Sequence, residues 1–274
     1  MLRLPSPLER LDDDRVTRAG LTLLLKRDDL IHPDFPGNKW RKLKYNLEAA
    51  REAGRTTLLT FGGAYSNHLH ATAAAGHHFG FATIGIVRGE EHLPLNPVLA
   101  RARELGMSLT YMNRTQYREK SDLPPGDFYL IPEGGANHRA LAGCAELVHE
   151  IDIPFDVLCC ASGTGTTLAG VATALPERST AMGFPVLRNG DFLNADIRRL
   201  QGDNPTTNWS LETGFAFGGF ARSTPGLDSF VEDFHARHGV TLDRVYEAKM
   251  CAGLFALIEA GRFPRGTTIV ALIA

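Results

Sequence analysis

The sequence predicts an α/β protein whose sheets are parallel and covered by helices on both faces. Short apolar runs alternate with helical stretches along most of the chain, and two of those runs end in a glycine turn that opens the next helix. The helix expected at 39–53 repeats Trp40, Leu43, Leu47 and Ala50 at helical spacing, with Asn38 as its cap and Gly54 as its stop. A strand at 56–61 feeds Gly62-Gly63, and Ser66 or Asn67 caps the alanine-rich helix 67–79. Strands follow at 81–87, 108–112 and 128–131, with helices at 97–105 and 139–150. The apolar strand 155–161 runs into a turn of small residues and the helix 166–175. Helices 226–238 and 248–260 and a strand at 267–273 complete the pattern. The stretches 113–126 and 184–190 read as loops.

Composition narrows the function classes. The chain has 274 residues, 43% of them hydrophobic, enough for one large or two small cores. A formal charge of −2 carries no basic footprint, so no nucleic acid is expected as the main partner. No apolar run approaches the roughly 20 residues that span a bilayer, so no membrane is expected either, and the first residues lack a leader pattern. Cys159 and Cys160 are adjacent in one strand and so point to opposite faces. With Cys144 and Cys251 they read as buried thiols, not as a disulfide framework or a zinc site, and the expected compartment is the cytosol.

Three motifs carry chemistry. In Gly37-Asn38-Lys39-Trp40-Arg41-Lys42-Leu43, which follows Pro36, Lys39 stands in the first turn of a helix beside two further cations. Helix dipole and neighbours both favour the neutral amine that attacks a carbonyl carbon. Taken alone, a solvated basic turn is the plainer reading. About two dozen residues later comes Gly62-Gly63-Ala64-Tyr65-Ser66-Asn67-His68. The third motif, Ser162-Gly163-Thr164-Gly165-Thr166-Thr167 after the 155–161 strand, has the small residues and hydroxyls of a phosphate cradle at a helix N-terminus. It is no Walker loop, and Leu168 stands where a dinucleotide fingerprint needs glycine. His68, His70, His77 and His78 invite a metal reading. His68 and His70 do not share a helix face and no acidic ligand accompanies them in sequence, so no metal is expected.

G-N-K-x-R-K-L followed by G-G-x-x-S-N-H resembles the pyridoxal-phosphate enzymes of the 1-aminocyclopropane-1-carboxylate deaminase and D-cysteine desulfhydrase family. The resemblance runs from Pro7-Leu8-Glu9-Arg10 through Lys26-Arg27-Asp28-Asp29-Leu30 to Tyr246-Glu247. It implies two doubly wound parallel-sheet domains with pyridoxal 5'-phosphate in the cleft between them. The small domain would be residues 43–140, the large one 1–42 with 141–274, and the assembly a homodimer. It further implies that Lys39 holds the cofactor and acts as base at the substrate α-carbon. Gly163, Thr164, Gly165, Thr166 and Thr167 would take the phosphate, Asn67 the ring hydroxyl and Glu247 the pyridine nitrogen. Ser66, Asn67 and His68 would receive the carboxylate of a small amino-acid substrate, with Ser66 also in proton transfer, although a helix cap explains Ser66 as well. Asp243-Arg244-Val245-Tyr246-Glu247-Ala248-Lys249 matches the family's D-x-V-Y-x-x-K signature and would put Tyr246 near the leaving group, where the plainer reading has it merely packing. Glu133 is expected in an interdomain loop with a structural role.

The chain also departs from the family. Deaminase-type members carry a second tyrosine in Y-G-x-P, where this chain reads Phe217-Gly218-Gly219-Phe220-Ala221-Arg222. Phe220 has no hydroxyl to help open a cyclopropane ring, which favours D-cysteine as substrate. Family members usually continue past the strand at 267–273 into a glycine-containing loop; its absence here leaves Glu247 as the main candidate partner for the ring nitrogen, or else signals a shortened chain. The expected activity is a lyase reaction on D-cysteine, with 1-aminocyclopropane-1-carboxylate or another small D-amino acid as the alternative substrate and a cofactor binder without turnover as the alternative class.

Overall fold

The computed structural model describes residues 1–35, 37–120 and 123–274, so Pro36 of the lysine motif and part of the 113–126 stretch lie outside the described residues. The chain forms two compact units, Met1–Ile31 with Cys144–Ala274, and His32–Gly143. The first unit begins with β1 (Leu8–Arg10), α1 (Asp14–Ala19) and β2 (Thr22–Arg27). The second holds α2 (Lys39–Glu52), β3 (Thr57–Gly62), α3 (Asn67–Phe79), β4 (Ala82–Arg88), α4 (Pro97–Glu104), β5 (Met107–Met112), α5 (Arg114–Glu119) and β6 (Tyr129–Ile131). The helix α6 (His138–His149) carries the chain back to the first unit. There follow β7 (Val157–Ser162), α7 (Thr166–Ala174), β8 (Thr180–Pro185), α8 (Leu193–Gln201), β9 (Trp209–Leu211), α9 (Pro225–His238), α10 (Glu247–Glu259) and β10 (Thr268–Ile273).

The sheet of the first unit has the order β1-β2-β10-β7-β8-β9, parallel except for β1 against β2. Alternate residues of its strands serve two layers. Leu23 and Leu25 of β2, Cys159 of β7 and Ile269, Ala271 and Ile273 of β10 join one core with α1, α9 and α10. Cys160 is equally buried but outside that cluster, so the two thiols do face opposite ways. All four cysteines are buried. The sheet of the second unit, β5-β4-β3-β6, is parallel throughout. Ala71, Ala73, Ala74 and Ala75 of α3 are fully buried, small enough to bring that helix close to its neighbours.

In each sheet the strand order reverses at one place. From β3 the chain runs outward through β4 and β5, while β6 pairs on the other side of β3. From β7 it runs outward through β8 and β9, with β10 on the other side. Open parallel sheets bind ligands at the carboxyl ends of strands beside such a reversal. The loop after β3 is Gly63–Ser66 and the loop after β7 is Gly163–Gly165, both singled out by the sequence. No helix is long and apolar enough to cross a membrane among the described residues.

The structure adds elements that the apolar pattern hides. The strand β2 ends in Lys26-Arg27, and Lys26 is buried because its ammonium reaches Glu150 Oε2 and the Ser6 carbonyl, each at 2.6 Å. Arg27 forks onto Asp29 at 2.9 and 2.8 Å, so the K-R-D-D-L motif is a structural clamp. Within the stretch read as a loop, Asn113 caps α5 by accepting from the amides of Thr115 and Gln116. The second unit is also wider than residues 43–140. A boundary at 42 would cut through α2, which is continuous and packs on α3. At its far end Gly143 lies against the backbone of Arg41, where a side chain would not fit. Glu133 belongs to the second unit, with Lys120 Nζ 3.5 Å away.

Candidate active site

In the second unit the lysine motif starts α2 as the sequence predicts, with one change. Asn38 holds the cap position but makes no side-chain cap bond; its Oδ1 accepts from Lys39 Nζ at 3.1 Å. The helix is steered at its next turn by Asn46. That amide donates to the Lys42 carbonyl at 2.8 Å and accepts from Asn137 Nδ2 at 2.8 Å. Asn137 in turn accepts from the Ala140 amide as α6 begins.

Ser66 is the cap of α3, accepting from the Leu69 amide at 3.4 Å, and Asn67 is the first residue of the helix. Gly62 makes this turn possible, because a Cβ there would stand 2.6 Å from Ser66 Oγ. His68 turns inward, with 2% of its surface exposed and Nε2 2.8 Å from Thr60 Oγ1. Thr60 gives its one hydroxyl hydrogen to the Ile131 carbonyl, so it accepts from the imidazole. Burial, and then the charges of Lys39 and Lys42, hold His68 down at about 3. The His68 ring is thus held neutral against Thr60.

The first unit presents the small-residue loop. Gly165 adopts φ +74° at the cap of α7, where a Cβ would be 2.6 Å from Ile197 Cγ1. No side chain caps α7, whose N-terminus carries the positive end of the helix dipole. Thr164 and Thr166 share a hydroxyl contact at 2.8 Å, and Thr166 and Thr167 are buried in the first turn. A Cβ on Gly163 would lie 3.1 Å from Tyr246 Cε1, so the Tyr246 ring lies beside the loop. Asp243 directs this placement by accepting from the amides of Val245 and Tyr246 at 2.9 and 2.8 Å. Burial first, then Asp243 and Glu247, push the Tyr246 phenol up to about 12. Glu247 is buried as the first residue of α10. A helix N-terminus without a side-chain cap, hydroxyls and space that only glycine leaves free fit a phosphate ester, and a buried acid beside an aromatic ring fits a pyridine-type group.

More than half of the chain falls within a known family. The model of the pyridoxal-phosphate dependent enzymes matches residues 2–188. This chain belongs to the pyridoxal-phosphate dependent enzymes. Among curated relatives of this pyridoxal-phosphate enzyme, an Arabidopsis thaliana protein named bifunctional D-cysteine desulfhydrase/1-aminocyclopropane-1-carboxylate deaminase, mitochondrial, is 28% identical, across 93% of this chain and 71% of that protein. A Klebsiella pneumoniae D-cysteine desulfhydrase is 26% identical, across 96% of this chain and 89% of its own. A crystal structure described as an ACC deaminase homologue superposes with a TM-score of 0.82 at 25% identity, covering 99% of this chain and 89% of that one. The enzyme thus has the α/β architecture of fold type II and depends on pyridoxal phosphate.

Sequence reading missed what supports these groups: Thr60 under His68, the Asn46–Asn137 pair, and Lys249. The K of the D-x-V-Y-x-x-K signature was the available signal for Lys249. It also missed that Asp34 and His32 come beside His78. His78 Nε2 lies 2.9 Å from Asp34 Oδ2, while Arg101 donates to the other oxygen at 3.1 Å. A carboxylate does accompany these histidines, brought there by the fold from 44 residues away in the chain. The Arg101 charge already answers it.

Proposed function

We propose that this enzyme is a lyase that expels a β-substituent from a small D-amino acid, with D-cysteine as its favoured substrate. D-cysteine and water would yield pyruvate, hydrogen sulfide and ammonia. The observation that carries the choice is Phe220, whose ring centroid lies 6.2 Å from that of Tyr246 at 75°. An aromatic pair with a single hydroxyl suits departure of a thiolate, a good leaving group. Opening a cyclopropane asks more of acid catalysis.

Bound pyridoxal phosphate supplies an electron sink for a carbanion at the substrate α-carbon. Lys39 would hold it and take the α-proton, with Asn38 orienting the amine. The N–H groups and hydroxyls of Gly163–Thr167 would hold the phosphate, Asn67 the ring hydroxyl and Glu247 the ring nitrogen. The substrate carboxylate would sit at the N-terminus of α3, on Ser66, Asn67 and the His68 amide. The Tyr246 phenol stays protonated throughout the physiological range and can donate to the departing sulfur.

The name of the Arabidopsis relative keeps a second reading in view, conversion of 1-aminocyclopropane-1-carboxylate to 2-oxobutyrate and ammonia. Product assays on purified protein decide: pyruvate with sulfide supports the first, 2-oxobutyrate the second. Lys39→Ala should abolish the visible absorption band of the bound cofactor and slow turnover by about 10²–10⁴-fold. Full turnover without this amine would overturn the proposal, and a visible band that no amino acid perturbs would leave a binder without activity.

A further inference from the structure

Lys249 is fully buried, and both of its described hydrogen bonds go to carbonyls, those of Ala216 at 2.9 Å and Gly219 at 2.5 Å. An ammonium is costly to bury without a carboxylate partner. Burial pulls the Lys249 ammonium below the ordinary lysine range, with Asp243 opposing that shift. A buried cation with this arrangement calls for a structural return, and the segment it binds supplies one.

Residues 216–222 form two successive turns. The Gly219 amide donates to Ala216 O at 2.9 Å, and the Arg222 amide to Gly219 O at 3.0 Å. Lys249 Nζ joins the first carbonyl of each turn. The backbone of the segment runs through φ 45° at Phe217, 92° at Gly218, 105° at Gly219 and 52° at Ala221. Two of these four left-handed positions are not glycine, so the segment is held in a conformation that its sequence resists. The same face of α10 carries Tyr246, Lys249 and Gly253. At Gly253 a Cβ would stand 2.7 Å from Phe215 Cγ, so the helix seats the segment at its start as well. A lesser anchor is Arg188, whose Nε donates to Gly218 O at 2.8 Å. Phe220 leads out of the first turn with 46% of its surface exposed, too much for a core ring, and its only described ring contact is Tyr246.

We propose that Lys249 is a positioning residue for substrate selection: it clamps the 216–222 double turn and so sets the Phe220 ring against Tyr246, closing the space that a substrate side chain occupies. Its task is reach, not proton transfer. This inference rests on the reading that Tyr246 and Phe220 flank the β-substituent.

Two measurements keep the inference and that reading apart. The first is the rate of trypsin cleavage after Arg222, which needs no substrate. Lys249→Met should raise it about tenfold, and Arg188→Ala, at a more exposed anchor, about twofold. The second is the ratio of kcat/KM for D-cysteine to that for a bulkier S-alkyl-D-cysteine. Lys249→Met should shrink it at least fivefold, mainly through a lower KM for the bulkier substrate. Unchanged cleavage in both variants would overturn the clamp. Faster cleavage with an unchanged ratio would overturn the role in selection. If the parent protein processes neither amino acid, the functional reading falls while the cleavage rates still judge the clamp. Should Lys249→Met not fold, Arg188→Ala carries the test, with no change in cleavage counting against it.

Discussion

Both units build the same device, a strand, a glycine turn and a helix beside the reversal in strand order, but they finish it differently. After β3 the helix α3 is closed by its own Ser66, and the ring behind it is fixed by Thr60. After β7 the helix α7 has no side-chain cap, and its turn is shaped by Gly165 in a left-handed conformation. The second unit spends side chains on rigidity and keeps Lys39 at the start of a separately braced helix. The first unit leaves α7 without a side-chain cap and relies on backbone shape. A permanent anion suits the uncapped end. A substrate that comes and goes suits the end that holds its form unaided.

The sharpest way to break that contrast is to put a side chain on each glycine. Gly165→Val combines a left-handed φ, costing about 1–2 kcal/mol, with overpacking against Ile197 that costs about 1–3 kcal/mol. Denaturant unfolding should show a loss in that combined range, together with weaker cofactor binding. Gly62→Ala meets Ser66 Oγ without the backbone penalty, so its loss should be the smaller one, with cofactor affinity nearly kept. Equal losses at both sites would mean that backbone shape is not what distinguishes the two turns.

Much of this was legible before any coordinates. The turn glycines, the Ser66 cap and the α3 boundaries follow from local rules, because capping and left-handed φ act within a few residues. The elements that escaped are those whose signal is not local. The strand β2 hides behind Lys26, whose burial depends on Glu150 and the Ser6 carbonyl, both distant in sequence. The extent of the second unit hides because nothing in the sequence says that Gly143 lies against Arg41. Lys249 could be read as part of a signature, but its partners at Ala216 and Gly219 are some thirty residues distant. Long-range satisfaction of a buried charge has no pattern in sequence.

The two regions should also fail at opposite ends of the pH scale. Folded His68 takes its proton only near 3 against an ordinary 6.5, so below 6.5 the unfolded chain binds the extra proton. Stability from this site is complete above pH 6.5 and declines as pH falls toward 3, by at most about 1.4 kcal/mol per pH unit. For Tyr246 the folded phenol holds its proton up to about 12 against 10, so that contribution is complete below pH 10 and declines as pH rises toward 12. Urea unfolding of His68→Gln should show a flatter acid limb with its alkaline limb unchanged, and Tyr246→Phe the reverse. A variant that flattened both limbs would refute the separation.

The smallest effect bears most directly on function, since Ser66 has two claims on it. As a cap at 3.4 Å its bond is long, so Ser66→Ala should cost about 0.5–1 kcal/mol, the low end for such losses. The Thr164 hydroxyl meets Thr166 instead of a free amide, so Thr164→Val should stay within about 0.5 kcal/mol. If Ser66 is only a cap, turnover in Ser66→Ala should follow its small loss of stability and return in Ser66→Asp, since aspartate caps equally well. If the hydroxyl also moves a proton at the substrate, Ser66→Asp should recover stability but not rate. A carboxylate there would repel the substrate carboxylate too, raising KM. Measuring kcat and KM separately in Ser66→Asn, a neutral cap without a hydroxyl, resolves that ambiguity. Recovered stability and KM with a depressed kcat would leave proton transfer as the remaining role for the serine.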